Sequence, residues 1–320
     1  MPPKVSICMI TYNHEPYIQQ AVEGIMMQET NFDYELVIGE DCSTDKTREI
    51  VKNLKAKFPD KIKLLLPEHN LGMMKNFIET FQSCSGKYIA LCEGDDYWTD
   101  TFKLQKQVDF LDQNAEFSIS FHRVIQKNEV TGREELSNKG QKPISTLEDL
   151  FKKNFLCTAS CVFRHGLFKE CPDFFYNTGA GDWVLHMLNA AHGKIAYSDE
   201  VMAVYRIHTG GAIFNATSSY QNLKRALLKD VYTFSSINNY FGNRYNDLIK
   251  SKIADIYKAI SLTDIRSGDK KEAKKNIYIS LNYKFSLKTA LLVLPLAYIP
   301  KSEHILLSIS KLKSKLKGHS

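Results

Sequence analysis

The sequence predicts an α/β fold: a mostly parallel, Rossmann-like open sheet with flanking helices, followed by a helical C-terminal region. Three observations lead to this fold class. Apolar, β-favouring runs alternate with segments of helical periodicity, which is typical of βαβ units in a doubly wound sheet. The first run, residues 5–10, is continuous, as expected of a strand buried on both faces. From about Tyr220 onward the periodicity is helical.

The same patterns place the elements in chain order. The predicted strands are residues 5–10, 34–38, 62–66, 88–92, 117–121, 194–197 and 201–206. The predicted helices are residues 15–27, 46–58, 73–81 and 182–191, then a hairpin of 248–265 and 270–281 joined at 267–269. We predict a boundary near residue 216, with an α/β domain over 1–215 and a helical region over 216–320.

Composition and charge exclude several classes of protein. With 43% hydrophobic residues over 320 positions, the chain can bury a sizeable core, which excludes wholesale disorder. Residues 266–320 carry twelve Lys/Arg against three Asp/Glu, a charge of +9, which leaves −3 of the net +6 for residues 1–265. Because a mildly acidic body with a basic tail is not typical of a nucleic-acid-binding domain, we expect no nucleic-acid partner.

Cysteine usage and the N-terminus indicate the compartment. The seven cysteines are an odd number and include no CxxC pair, which favours a reducing environment without a structural zinc. The apolar run at residues 5–10 is too short for the core of a secretory signal. We therefore expect a cytoplasmic protein.

Candidate functional residues follow the predicted strands, since doubly wound sheets bind ligands at the carboxyl ends of their strands. Asp95 and Asp96 follow the fourth strand. Two adjacent carboxylates there can divide their roles, one binding a divalent cation and the other accepting a hydrogen bond from a sugar hydroxyl. The alternative is a solvated turn with an aspartate cap.

Asp41 directly follows the second strand, where a carboxylate needs a donor such as the imide N–H of a nucleobase. Its neighbours Ser43, Thr44 and Asp45 are suited to cap the next helix. Tyr12, after the first strand, would either stack on a base or pack as a core tyrosine at the strand end.

The order and spacing of these motifs, Thr11-Tyr12-Asn13, Asp41 and Asp95-Asp96, resemble the family 2 glycosyltransferases, inverting enzymes of the GT-A fold that use nucleotide-diphosphate sugars. Three further strings match the family: NLGMMKN at residues 70–76, GDW at 181–183 and YRIHTGG at 205–211. The resemblance covers roughly residues 4–210 and implies that the first domain is catalytic.

The resemblance also implies a role for each matched residue. The residues implied to bind the nucleotide are Thr11, Tyr12, Asn13, Asp41 and Asp95. Those implied to contact the donor sugar or phosphate are Lys75, Asn76 and Arg206. Asp96 and His208 are implied to bind a divalent cation, Mn²⁺ or Mg²⁺, and Asp182 is implied to be the general base. The implied donor is a UDP-sugar and the implied acceptor a glycan or lipid-linked glycan. Departures from the common pattern at Glu40-Asp41-Cys42 and at Gly181 leave open which nucleobase is read and which carboxylate is the base.

These residues meet the chemical minimum for inversion. One carboxylate must take the acceptor's proton on the face opposite the leaving group, which is the role implied for Asp182. A divalent cation, implied to bind Asp96, must neutralise charge on the departing diphosphate. Without the resemblance, Asp182 would be interpreted as a helix N-cap and His208 as a surface histidine.

Other function classes make different demands on the sequence. A dehydrogenase needs GxGxxG after the first strand and is excluded, because Tyr12, Asn13 and His14 stand there. A sugar-nucleotide pyrophosphorylase, which would want a glycine-rich basic loop at the same place, is kept as an alternative. A non-catalytic membrane-surface or scaffold protein on the same fold is the other alternative, although it has no need for polar groups around one crevice.

The basic tail predicts peripheral contact with an anionic membrane, at the inner face of the plasma membrane, through residues 285–317. The charge-free run at residues 289–300 is broken by Pro295 and is shorter than the roughly 20 residues of a spanning helix. Beyond it, one helical stripe is formed by Ile305, Ile309, Leu312 and Leu316. A basic amphipathic helix of this kind lies in a membrane interface, and the alternative is packing on the protein's own helices.

Overall fold

The computed structural model describes residues 2–300 and 302. These residues form two compact units. The first unit runs to Tyr176 and resumes over Ala180–Gly211, and the second consists of Asn177–Gly179 and the residues from Ala212 onward. All seven cysteines lie in the described part, and each is a free thiol.

The first unit begins with four parallel strands whose spatial order is β3-β2-β1-β4. They are β1 (Val5–Thr11), β2 (Tyr34–Glu40), β3 (Ile62–Leu65) and β4 (Tyr88–Leu91). β1 and β4 are buried along nearly their whole length, because helices cover both faces of the sheet. The parallel open sheet that the sequence predicts is confirmed.

Three helices connect these strands: α1 (Ile18–Met26), α2 (Thr47–Lys57) and α3 (Met73–Gln82). Each buries one apolar stripe, which in α1 consists of Ile18, Ala21, Val22 and Ile25. α1 begins three residues later than predicted. The preceding segment is held in a turn because the backbone N–H of Glu15 donates to Asp45 and that of His14 donates to Thr47.

The sheet continues with strands of mixed direction in the order β4-β9-β6-β10-β5, with two short strands paired to β6 and β10. The strands are β5 (Tyr97–Trp98), β6 (Phe117–Asn128), β7 (Glu134–Leu136), β8 (Ile144–Ser145), β9 (Val162–Arg164) and β10 (Lys194–Ile207). The helices are α4 (Lys103–Gln113), α5 (Leu147–Lys152) and α6 (Gly181–Ala190), with 3-10 turns at Thr158–Ser160 and Asp173–Asn177.

Two sequence predictions differ from the structure in this half. The strands predicted at 194–197 and 201–206 are one strand, β10, whose register against β6 shifts between Ser198 and Ala203. β6 extends to Asn128, seven residues beyond its predicted end, because its polar second half pairs with β10 on one side and β7 on the other. Backbone hydrogen bonds to the neighbouring strands thus extend β6 through residues that lack the apolar pattern of a strand.

A buried lysine begins α4 and lies beside the Trp98 ring of β5. Lys103, the first residue of α4, is fully buried, donates to Gln107 at 2.8 Å, and lies over the Trp98 ring with its Nζ 4.2 Å from the centroid. Gln107 in turn donates to the backbone carbonyls of Ser120 and Ser160 at 3.0 Å. Burial lowers the pKa of Lys103 from 10.5 to about 7.

The second unit is helical. It contains α7 (Ala212–Thr217), α8 (Tyr220–Tyr240), α9 (Asn246–Arg266) and α10 (Lys270–Tyr283), then a π-helical turn at Thr289–Val293 and a 3-10 turn at Leu294–Ala297. The predicted hairpin of α9 and α10 is confirmed, and Gly268 takes the positive φ (84°) of its turn. No helix within residues 2–300 is long and apolar enough to cross a membrane. The predicted stripe at residues 305–316 lies outside the described residues.

Candidate functional site

The site lies at the carboxyl edge of the sheet, where three chain segments converge. They are the residues after β1, the turn between β4 and β5, and the end of β10. Gly94 brings the first two together, since its backbone N–H donates to Ile10 and a Cβ at this position would lie 2.5 Å from the Thr11 hydroxyl. Only glycine permits this approach.

Two imidazoles and one carboxylate meet at this edge. The Nε2 of His208 lies 2.9 Å from Oδ2 of Asp95, and the Nε2 of His14 lies 3.8 Å from the same oxygen. One ligand atom from each of the three residues falls within 4.8 Å of the others. The Tyr17 ring packs against His208 with its centroid at 4.8 Å and holds the imidazole in place.

The electrostatics of this group favour a bound cation. Burial opposes ionisation of Asp95, but interactions led by the hydrogen bond from His208 outweigh it and lower its pKa. Burial lowers the pKa of His14, which favours the neutral imidazole that a metal requires. Oδ1 of Asp95 is buried and has no hydrogen-bond partner within the described part of the chain. A 2-His-1-carboxylate set suits first-row transition ions such as Mn²⁺.

The residues after β1 differ in exposure. Thr11 is buried, and its hydroxyl has no hydrogen-bond partner among residues 2–300. Tyr12 is 43% exposed, so its ring is available for stacking. The alternative interpretation, that Tyr12 packs in the core, is wrong. Asn13 takes a positive φ of 55° and accepts from the backbone N–H of Thr44, while its own N–H donates to Ser43. The nucleotide roles of these residues remain predictions.

Asp96 is not part of the three-residue group. Its Oδ1 accepts from the backbone N–H of Arg206 at 2.8 Å, and its buried Oδ2 has no partner in the described chain. Burial and the neighbouring carboxylates of Asp95 and Glu93 raise its pKa well above the usual value. Metal binding by Asp96 stays a prediction, whereas the structure brings the other predicted ligand, His208, into the group.

Arg206 is enclosed by protein groups. Its guanidinium donates to the backbone carbonyl of Asp95 at 2.5 Å, to Glu129 at 3.1 Å and to the Gln20 side chain. It also lies between two tyrosine rings. In this structure Arg206 therefore joins α1, the β4–β5 turn and the end of β6, and its predicted phosphate contact stays a prediction.

Asp41 binds the loop that precedes α3. Its two carboxylate oxygens accept from the backbone N–H groups of Leu71 and Gly72 at 2.6 and 3.0 Å, and Asn70 donates to its backbone carbonyl. The donor that a buried carboxylate requires is therefore supplied by the chain itself. Each oxygen retains further acceptor capacity, so contact of Asp41 with a nucleobase remains a prediction.

The two residues of α3 predicted to contact the donor lie in different surroundings. Asn76 is buried and donates to the backbone carbonyl of Gly39 at 2.9 Å, which fixes α3 to the end of β2. Lys75 is about half exposed and lies 3.8 Å from Glu79, one turn along the helix. Asn76 therefore has a packing role in this structure, and only Lys75 of the pair is exposed.

Asp182 lies in the first turn of α6, preceded by an N-cap residue, Ala180. The interpretation of Asp182 as an N-cap is therefore wrong. The amide of Asn154 donates to its Oδ2 at 3.1 Å. A Cβ at Gly181 would lie 2.4 Å from the Cε of Met74, the far end of a flexible side chain, so a larger residue here would require Met74 to shift.

Sequence reasoning missed two residues of this site. Desolvation and the charges of Asp95 and Asp182 raise the pKa of Glu93 to about 8, which indicates that Glu93 lies near both carboxylates. His14 is the third member of the three-residue group. Both are adjacent to predicted motifs at strand ends, and that adjacency is the signal that could have identified them.

The chain is similar to known proteins in sequence and in fold. The family described as glycosyl transferase family 2 matches residues 6–171, more than half of the chain. The matched range includes the β1, β2 and β4 strand ends and stops before Asp182 and His208. An uncharacterized protein of Mycobacterium tuberculosis is 39% identical over 209 residues, which are 65% of this chain and 60% of the relative. The chain thus spans 60% of the length of this relative.

Other relatives and solved structures cover nearly the whole chain. A Campylobacter jejuni GalNAc(5)-diNAcBac-PP-undecaprenol beta-1,3-glucosyltransferase is 25% identical over 94% of this chain and 95% of its own. S. aureus TarS 1-349 in complex with UDP-GlcNAc superimposes with a TM-score of 0.55 at 19% identity, covering 88% of this chain and 91% of TarS 1-349. The mannosyltransferase PcManGT from Pyrobaculum calidifontis, in complex with GDP-Man and Mn²⁺, gives 0.53 at 15% identity, over 95% and 83%.

These likenesses confirm the predicted GT-A-type fold and the predicted family. The structural neighbours share the open sheet, and the family match includes the strand ends that carry Thr11, Asp41 and Asp95. By its sequence and its fold, the chain belongs to glycosyl transferase family 2.

Proposed function

We propose that this protein transfers a sugar, with inversion, from a UDP-sugar to a glycan or lipid-linked glycan. A divalent cation assists the reaction, and Asp182 is the general base. The observation that carries the proposal is the convergence of His14, Asp95 and His208 at the carboxyl edge of the sheet, where ligands bind in open α/β folds. The Mn²⁺ bound to PcManGT supports the same cation here.

The residues present fit a cation. Asp95 offers a buried oxygen that has no partner in the described chain, and the two imidazoles are held by packing. When bound, the cation would neutralise negative charge on the departing nucleoside diphosphate. His14, Asp95 and His208 would hold it, and Arg206 fixes the backbone of Asp95 by donating to its carbonyl.

Asp182 is suited to receive the proton of the acceptor hydroxyl. Burial and the charges of Asp95 and Asp182 raise the pKa of Glu93, which indicates that Asp182 lies near these carboxylates, and the amide of Asn154 donates to one oxygen of Asp182. Because position 181 is a glycine, no second carboxylate stands one position before Asp182. Loss of this proton raises the nucleophilicity of the acceptor oxygen, which attacks the donor's anomeric carbon as the diphosphate departs on the opposite face.

The donor and acceptor proposals rest on different observations. Exposed Tyr12 offers a stacking surface for a base beside Asp41, and UDP-GlcNAc bound to TarS supports a uridine nucleotide. The full-length likeness to a C. jejuni glucosyltransferase named for an undecaprenol-linked glycan supports a lipid-linked acceptor. An acceptor of that kind would place the protein at the cytoplasmic face of a membrane.

The test separates binding from catalysis. We expect Asp182→Asn to retain the affinity for UDP-GlcNAc and UDP-glucose in the presence of MnCl₂, measured by titration calorimetry. Its release of UDP with water as acceptor should fall by roughly 10²-fold or more, the effect of losing a general base. Asp173→Asn, at an exposed aspartate of the same unit, is the matched control and should behave as the wild type.

Three outcomes would contradict the proposal in different ways. UDP release at the wild-type rate in Asp182→Asn would mean that another group is the base. Tighter binding of GDP-mannose than of either UDP-sugar would reject the uridine donor. Donor binding without turnover in the wild type would favour a non-catalytic protein on this fold.

A further inference from the structure

An exposed apolar surface stands out in the second unit. Its members are Tyr283, Phe285, Leu287 and Leu291, which follow one another from the end of α10 into the next helical segment. Phe285, Leu287 and Leu291 are 71, 63 and 64% exposed. Large apolar side chains this exposed and this close in sequence mark an interaction surface more often than scattered single ones. We call this set the 283–291 surface.

The segment that carries this surface is fixed by its other side. Thr289 is buried, and Val293 and Leu294 pack against a small core made by Ile265, Ala273, Ile277 and Ala297. The Nζ of Lys274 lies 4.0 Å from the Tyr298 ring centroid at the end of the same segment. Because one side is anchored, Leu287 and Leu291 cannot turn inward without dismantling that core.

Charge along this stretch of the sequence has one sign. The sequence from residue 273 to residue 302 contains no Asp or Glu, and its five lysines include Lys284 and Lys288, both exposed and interleaved with the apolar residues. Lysine next to exposed Phe and Leu is typical of proteins that lie on anionic lipid, where the rings and leucines enter the interface and the amines meet the headgroups.

We propose that the 283–291 surface docks on an anionic lipid membrane, with Phe285, Leu287 and Leu291 inserted and Lys284 and Lys288 at the headgroups. A second copy of the chain is a poorer occupant. Symmetric pairing would bring the lysines of both copies around one contact, where like charges repel. The docking depends on no step of catalysis, whereas its relevance to a lipid-linked acceptor rests on the proposed function.

Vesicle co-sedimentation of the full chain tests the proposal. We expect binding to vesicles of phosphatidylcholine with phosphatidylglycerol and not to phosphatidylcholine alone. Leu287→Ser with Leu291→Ser should lower the partition coefficient roughly tenfold or more, because two inserted side chains are lost. Lys284→Gln with Lys288→Gln should lower it by roughly fivefold per lysine on anionic vesicles.

The matched control is Leu228→Ser with Leu248→Ser, two exposed leucines of α8 and α9 in the same unit, which should bind as the wild type. The proposal is overturned if the wild type ignores anionic vesicles, or if Leu287→Ser with Leu291→Ser binds as well as the control. A concentration-dependent dimer in lipid-free light scattering, lost in that variant, would assign the surface to a second copy. UDP release should be unchanged in all these variants, so failure here leaves the proposed function standing.

Discussion

At the scale of single residues, Asp95 and Asp96 are neighbours in sequence with different partners. Asp95 faces two imidazoles, whereas Asp96 accepts from the backbone of Arg206. The sequence predicts a cation-binding carboxylate in this pair, and the family resemblance implies that it is Asp96. Which of two adjacent carboxylates contacts the imidazoles depends on the local turn, and no residue pattern encodes that choice.

A pair of isosteric variants separates the two carboxylates. Asp95→Asn should lower Mn²⁺ affinity by roughly tenfold or more, because even outer-shell partners of a metal contribute about ten- to a hundredfold. If His14, Asp95 and His208 hold the cation as proposed, Asp96→Asn, which keeps an oxygen for the Arg206 N–H, should bind Mn²⁺ nearly as the wild type does. Calorimetric titration with MnCl₂ measures both, and a greater loss in Asp96→Asn would restore Asp96 as the metal ligand.

At the scale of elements, the packing of α3 against β2 depends on one glycine. A Cβ at Gly39 would lie 2.0 Å from the Thr80 hydroxyl and 2.5 Å from Oδ1 of Asn76. Both side chains are buried, and Asn76 donates to the Gly39 carbonyl. The helix can approach the strand this closely only because position 39 has no side chain.

We therefore expect Gly39→Ala to lower the free energy of unfolding of the first unit by about 1–3 kcal/mol, the usual effect of overpacking. Urea denaturation followed by tryptophan fluorescence reports this unit, since Trp98 and Trp183 both lie in it. Gly210→Ala is the control, because its added methyl would have only ordinary contacts, at 3.4 Å. Equal stability of the two variants would mean that α3 can shift to accommodate a methyl group.

Elements were predictable where residues carry a periodic signal. The first four strands and three helices have continuous apolar runs or stripes, and their predicted ends agree with the structure to within about three residues. α4 was not predicted, because two residues of its buried face, Lys103 and Gln107, are polar and interrupt the apolar periodicity that indicates a helix. The second half of β6 was missed for the same reason, because its pairing satisfies backbone groups and not apolar side chains.

At the scale of the whole molecule, the buried lysine makes stability depend on pH. The pKa of Lys103 is about 7 in the folded chain and 10.5 when exposed. Between these values the unfolded chain holds a proton that the folded chain lacks, so the free energy of unfolding rises with pH. Below a pH of about 7 both states are protonated and this contribution levels off.

Lys103→Met keeps the length of the side chain and removes its proton. Between about pH 7 and 8.5, the wild type should gain on the order of 1 kcal/mol of stability relative to this variant. Urea denaturation at a series of pH values, followed by tryptophan fluorescence, measures the difference. Parallel curves for the two proteins would show that the amine titrates normally in the folded state.

Some features of the whole molecule could be predicted from the sequence, and others could not. The uneven charge and the helical second half were readable from composition and periodicity. The convergence of His14, Asp95 and His208 was not, because these residues lie far apart in the chain and only the sheet order brings β1, β4 and β10 to one edge. A family resemblance supplied part of that information for His208 and none for His14.

The burial of Lys103 has a further chemical consequence. At a pH of about 8 its amine is mostly unprotonated, which makes it a stronger nucleophile than the protonated lysines of the surface. The amine is nonetheless sealed beneath the Trp98 ring, so an acylating reagent can reach it only when α4 leaves the sheet. The rate at which such a reagent modifies Lys103, followed by peptide mass spectrometry, therefore measures how often this region opens without the rest of the unit unfolding.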